Sequence, residues 1–183
     1  MFVRAVEAPV SNAPSRPATA PRGLPADQFL PLAAALPTGV SVVTSLNVLG
    51  APMGMTSGAV CSLSCEPPLM LVCMGERSRT LTAVLGHGAF CVNVLAADAT
   101  TLAERFAGRG ADKFAGVSWR PGRAGAPVLT EHTVAHLACE VLRTVDGGDH
   151  TMVIGLVVEG DGRPDVLPLL YHRRRYAGFP PPP

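Results

Sequence analysis

VAHLACEVLRTVDGGDHTMVIGLVVEG (residues 134–160) holds two long apolar segments separated by a polar, glycine-rich break. The first alternates, with Ala135, Leu137 and Cys139 on one face, and a period of two belongs to a strand. The second is rich in valine and isoleucine, which favour extended backbone. GGDH (147–150) has the composition of a turn, because Gly147 and Gly148 accept positive φ. The stretch reads as an antiparallel hairpin. It leaves Asp149 and His150 at the mouth of a buried strand, either as turn residues or as one wall of a binding site.

The flanking segments repeat the pattern. GVSVVTS (39–45) is strand-like, with Val40 and Val42 on one face, and NVLGAPMG forms a loop around Gly50 that returns through MGMTSGAV. Pro67 and Pro68 stop one element, and LMLVCM, lacking alternation, reads as a strand buried on both faces. AFCVNVLA is another strand. Two or three short helices are expected. ADQFLPLAAAL (26–36) has Asp27 as cap and Pro31 limiting its regularity. ERSRTLTAVLGHG is opened by Ser78 and closed by Gly86 or Gly88. DATTLAERFAG is capped by Asp98, with Leu102 and Phe106 on one face. GRGADKFAGVSWRPGRAGAP reads mostly as loop, and PDVLPLLYHRRRY as a short strand with a basic patch. The sum is a mainly β chain with short helices, its antiparallel strands forming a closed or nearly closed barrel. No strand runs into a GxGxxG loop, which argues against a Rossmann domain.

The 183 residues suit one domain, with a folded unit over 26–176. Residues 1–25, rich in Pro, Ala and Ser, are expected to be a disordered extension, and 177–183 a Pro-rich tail favouring polyproline II. A formal charge of +1 gives no global field for nucleic acid or an anionic membrane. No apolar run is long enough to span a bilayer, and the N-terminus lacks a signal-peptide apolar core. Five cysteines, an odd count without CxxC, point to reduced thiols in a cytoplasmic protein rather than to disulfides or zinc.

Two stretches carry chemistry. MTSGAVCSLS (55–64) concentrates Thr56, Ser57, Ser62 and Ser64 around Gly58, suited to a polar ligand or to a self-bonded loop. In ERSRT (76–80), Arg77, Ser78, Arg79 and Thr80 open a helix, where free amides and guanidinium groups make either a phosphate site or an ordinary capped start. HTVAH (132–136) has no HExxH glutamate, so no metal site is expected, and His87 in GHG reads as a surface residue. No GxSxG or other organised nucleophile occurs.

PTGVSVVTS, GAPMGMTSGAVCSLSCEPPLMLVC, RSRTL, FCVNVLA, LAERFAG, DKFAGVSW, VDGGDHTMVIG and LLYHRRRY follow one another over residues 36–176. In this order they resemble the flavin reductase-like family, the small reductase components of two-component flavin-dependent monooxygenases. The resemblance implies an FMN-binding split β-barrel of antiparallel, Greek-key type, usually a homodimer. By resemblance, Met55, Thr56, Ser57, Cys61, Ser62, Leu63 and Ser64 line the flavin ring and ribityl chain, and Ser78, Arg79 and Thr80 hold its phosphate. His150, with Gly148 and Asp149, contacts the nicotinamide nucleotide, and Tyr171 and Arg174 assist. The implied activity is NADH-dependent reduction of FAD or FMN, with FAD favoured. Reduced flavin then passes to a partner monooxygenase, in a setting of secondary metabolism. Gly58 departs from the Asn or Ser usual in the family. The rival readings are a non-catalytic flavin carrier or sensor, and an oxidase of pyridoxamine phosphate type.

Overall fold

In the computed structural model, which describes residues 23–110 and 112–179, three helices and twelve strands follow one another. They are α1 (Ala26–Ala33), β1 (Thr38–Gly39), β2 (Ser41–Leu46), β3 (Pro52–Ser57), β4 (Val60–Cys65), β5 (Pro68–Gly75), α2 (Arg79–His87), β6 (Ala89–Leu95), α3 (Thr100–Ala107), β7 (Trp119–Pro121), β8 (Pro127–Leu129), β9 (Thr133–Asp146), β10 (His150–Gly162), β11 (Leu169–His172) and β12 (Arg175–Gly178). The expected disordered extension and polyproline tail fall largely on residues 1–22 and 180–183, outside the described residues.

Seven strands form one antiparallel sheet in the order β3-β2-β6-β9-β10-β5-β4. The β9–β10 hairpin lies in its middle, with β9 laddered to β6 and β10 to β5. The outermost strands, β3 and β4, are consecutive in the chain and joined only by Gly58 and Ala59. So short a link forces the sheet to curl until its ends approach. Among the described residues no ladder joins β3 to β4, so the barrel is split.

Curling buries β2 on both faces. Val43 joins a core of Met70, Val72, Met74, Phe90 and Val153, while Val40 and Val42 join a second core of Leu95, Phe106, Leu129 and Leu169. Asn93 of β6 is fully buried beside both cores. Its Nδ2 donates to Val42 O and Thr44 Oγ1, each at 3.1 Å, and its Oδ1 accepts from Leu129 N at 2.8 Å. Thr44 Oγ1 donates to Pro127 O, so both ends of β8 are tied to the sheet by buried side chains.

Several local expectations change. LMLVCM, within β5, alternates: Met70, Val72 and Met74 are buried while their neighbours are half-buried, because only one face packs on the core. Asp27 and Asp98 do not cap their helices, whose N-caps are Pro25 and Ala99; Asp27 accepts from Gln28 N, and Asp98 pairs with His132 at 3.2 Å. The segment after α3 is mostly loop, as read, and carries within it the short β7–β8 hairpin. The basic C-terminal patch is a second hairpin, β11–β12, turned at Arg173 and Arg174 with φ of 47° and 63°. Helix α2 follows the reading, with Ser78 Oγ accepting from Leu81 N and Gly88, not Gly86, ending it at φ 77°. Cys91 and Cys139 are buried, and burial holds both thiols far above their ordinary range, Cys139 at about 12. Cys61 and Cys65, by contrast, are exposed.

Candidate functional site

A cleft of about 780 Å³ opens between β3, the start of α2, the end of α3 and the loop that follows α3. Its β3 wall comes within touching distance of α3 because Gly54 has no side chain. A Cβ there would lie 2.7 Å from the Phe106 ring. Thr56 Oγ1 donates to Ala103 O at 2.6 Å and fixes the same pair of elements. Lys113 donates from Nζ to Phe106 O at 2.7 Å and to Gly54 O at 3.3 Å, tying the loop to both walls. Burial lowers its pKa, and the charge of Arg79 adds to the effect. Phe114 packs edge-on against Phe106, ring centroids 5.0 Å apart.

At the α2 end, Ser78 Oγ lies 3.2 Å from Met55 Sδ, and Arg79 Nη2 donates to Gly110 O at 3.4 Å. Arg77, Arg79, Arg109 and Lys113 line the cleft against one carboxylate, Asp112, whose Oδ1 accepts from Phe114 N. Among the described residues none of these four cations forms an ion pair. The free amides at the start of α2 add to the positive field. Such a surface is built for a ligand carrying negative charge, and the methionine and phenylalanine walls suit an apolar ring.

Of the residues singled out from sequence, Met55, Thr56, Ser78, Arg79 and Thr80 meet in this cleft. Ser57 borders it, but its buried hydroxyl accepts from Ala59 N. Cys61, Ser62, Leu63 and Ser64 lie on β4, the opposite outer strand, and do not line the cleft. Gly148, at φ 87°, turns the β9–β10 hairpin. Glu76 N donates to Asp149 O at 3.1 Å, which seats that turn on the segment leading into Arg77. The His150 ring is half exposed; its Nδ1 lies 2.7 Å from Asp149 Oδ1. That hydrogen bond, and the charge of His150, lower the Asp149 pKa. Tyr171 lies opposite Thr38 in the small sheet and packs on Tyr176, while Arg174 occupies the turn; neither lines the cleft. At Gly58 a Cβ would lie 2.5 Å from Thr38 Oγ1, so Thr38 fills the space that a side chain at 58 would need.

Residues 32–180 match the model of the flavin reductase like domain. The chain belongs to the flavin reductase-like family. A "Flavin reductase (NADH)" of Kitasatospora aureofaciens is 49% identical over 163 residues, covering 88% of this chain and 85% of that relative. Nitrilotriacetate monooxygenase component B from Mycobacterium thermoresistibile superposes with a TM-score of 0.80 at 36% identity, over 84% of this chain and 86% of that one. The Streptomyces globisporus C-1027 NADH:FAD oxidoreductase SgcE6, in complex with NAD and FAD fragments, superposes with a TM-score of 0.79 at 35% identity, over 85% and 93%. The expected split-barrel fold and family are thereby established.

The cleft also contains family residues to which the sequence reading gave no role. LAERFAG and DKF supply Phe106, Lys113 and Phe114, and Arg109 lies between them. The available signal was Lys113, the chain's only lysine, set between an acid and an aromatic residue. His87 is not a free surface residue, since its ring nitrogen lies 3.1 Å from Ala124 O.

Proposed function

We propose that this protein is an NADH-dependent flavin reductase that reduces FAD or FMN by direct hydride transfer and releases the reduced flavin to a partner monooxygenase. The observation that carries the reading is the cleft uniting Met55 and Thr56 with Ser78, Arg79 and Thr80, its four cations forming no ion pair among the described residues. Ser78, Arg79 and Thr80, at the start of α2, hold a flavin phosphate. Met53, Met55 and Phe106 offer apolar contact to the ring. Bound flavin supplies the two-electron chemistry, and the protein supplies position and electrostatics. His150 contacts the nicotinamide nucleotide from the adjoining turn, and Asp149 orients its ring. No protein base is required for a hydride passing between two bound rings.

FAD is favoured over FMN, and NADH over NADPH. The names of the Kitasatospora and Streptomyces relatives support NADH, and the latter supports FAD. A monooxygenase partner is supported by the component named in the Mycobacterium structure. In this reading Cys61, Ser62 and Leu63, exposed on β4, and the half-buried Ser64, together with Tyr171 and Arg174, reach flavin through a homodimer. The protein works in the cytoplasm, in secondary metabolism. NADH oxidation with added FAD and with added FMN tests the activity; no flavin-dependent turnover with either refutes it. Flavin that stays bound through dialysis, without NADH oxidation, identifies a carrier instead. His150→Ala is expected to weaken NADH use and leave flavin affinity within about twofold. Collapse of flavin binding with unchanged NADH kinetics refutes the role given to His150.

A further inference from the structure

The cleft carries more positive charge than one phosphate uses. Ser78, Arg79 and Thr80 surround the α2 start and suffice for a single phosphate. Arg109 lines the same cleft from the other side, on the loop leaving α3. The Arg79 guanidinium already reaches Gly110 O, next in the chain to Arg109, so the start of α2 and the loop carrying Arg109 meet across the opening. Lys113 is committed to two carbonyls and acts as a tie between walls. Arg77 lies on the α2 side with Ser78 and Arg79, which leaves Arg109 as the exposed cation on the α3 side, with no carboxylate partner among the described residues. A ligand with two adjacent anionic groups would give a counter-charge to both sides of the cleft.

We propose that Arg109 is the residue that distinguishes a dinucleotide flavin from a mononucleotide one, by binding the second phosphate of the diphosphate whose first phosphate rests on Ser78, Arg79 and Thr80. This rests on the flavin reductase reading above and goes beyond it in assigning the choice of flavin to one side chain. The cleft volume of about 780 Å³ falls in the upper part of the ~300–1,000 Å³ usual for ligand pockets, as a dinucleotide needs.

The test is equilibrium binding, independent of turnover. FAD, FMN, ADP and NAD⁺ are titrated into the wild-type protein, Arg109→Gln, Arg109→Lys and Arg79→Gln, followed by flavin fluorescence and by calorimetry. Arg109→Gln is expected to weaken FAD about five- to tenfold and to leave FMN within about twofold. ADP should compete with FAD on the wild type and lose that competition in Arg109→Gln. Arg109→Lys should fall between, because it keeps charge without the planar fork. Arg79→Gln should weaken both flavins. Equal loss of FAD and FMN in Arg109→Gln, no loss of either, or a loss confined to NAD⁺ overturns the proposal. Wild-type protein that binds neither flavin refutes the flavin reductase reading itself, a result separable from failure at Arg109. Arg109 is exposed, so its variants are expected to keep the wild-type melting temperature, and a thermal melt checks that they are folded.

Discussion

Replacing Asn93 with alanine tests how the small β8 segment is held on the sheet. Asn93 is fully buried, and its three shortest hydrogen bonds reach two other elements: Val42 O and Thr44 Oγ1 in β2, and Leu129 N in β8. Alanine removes all three. A net loss of ~1 kcal/mol per bond applies to the two bonds donated by Nδ2. Leu129 N loses its acceptor in a dry interior, which costs a further ~1–3 kcal/mol. The expected destabilisation is therefore about 3–5 kcal/mol, against the ~5–15 kcal/mol typical of a whole domain. At ~2–4 °C per kcal/mol for a chain of this size, the melting temperature should fall by roughly 10–15 °C. Urea unfolding followed by circular dichroism measures it, and an unchanged dependence on urea would show that the unfolded state is the same. Asn93→Asp should cost at least as much, since a carboxylate there faces Val42 O and Pro127 O with no amide to donate. A loss below about 1 kcal/mol in the alanine variant would refute the claim that this buried network anchors β8.

Three further outcomes are expected. Gly54→Ala places a Cβ 2.7 Å from the Phe106 ring and must push α3 or the ring into the cleft; overpacking of this kind costs ~1–3 kcal/mol, so both stability and flavin affinity should fall, measured by melting and fluorescence titration. Gly58→Ser should lower the melting temperature because of Thr38 Oγ1, and the double variant Gly58→Ser with Thr38→Gly should recover it; no recovery would mean that the contact is not the cause. Glu159 has a carboxyl held down to about 2, first by the hydrogen bond from Arg120, then by Arg123 N. Its folded pKa lies below the unfolded value. Its stabilisation is therefore full above the ordinary glutamate range and is lost as pH falls toward 2. Unfolding of Glu159→Gln followed against pH should show a shallower decline over that acid window than the wild type.

The parts of the fold legible in the sequence are those set by near neighbours. Alternation over the first half of 134–145 and the glycines at 147 and 148 belong to one hairpin, so local pattern sufficed. Ser78 and Gly88 act on their own helix and were equally readable. Asp98 has the right composition for a cap but is drawn away by His132, 34 residues distant, which no local pattern records. The same limit hid the second half of the cleft. Lys113 and Gly54 are 59 positions apart, and Thr56 and Ala103 are 47 apart, yet each pair shares a hydrogen bond. Five of the residues singled out from sequence share the cleft because β3 and α2 pack together. The β4 residues stay out of the cleft within one chain, because β4 is laddered to β5 and not to β3.

The central position of the β9–β10 hairpin has a consequence for the order in which the chain becomes active. By residue 95 the strands β3-β2-β6 and β5-β4 have been synthesised, but they share no ladder and remain two half-sheets with bare inner edges. Only residues 133–162 wedge between them, pairing with β6 on one side and β5 on the other. Unpaired strand edges recruit other chains, so the nascent protein is most exposed to aggregation during this interval. The strand that closes the gap is also the one that delivers His150. On the role proposed for His150, a chain that has not finished its sheet has nowhere to receive a nicotinamide nucleotide.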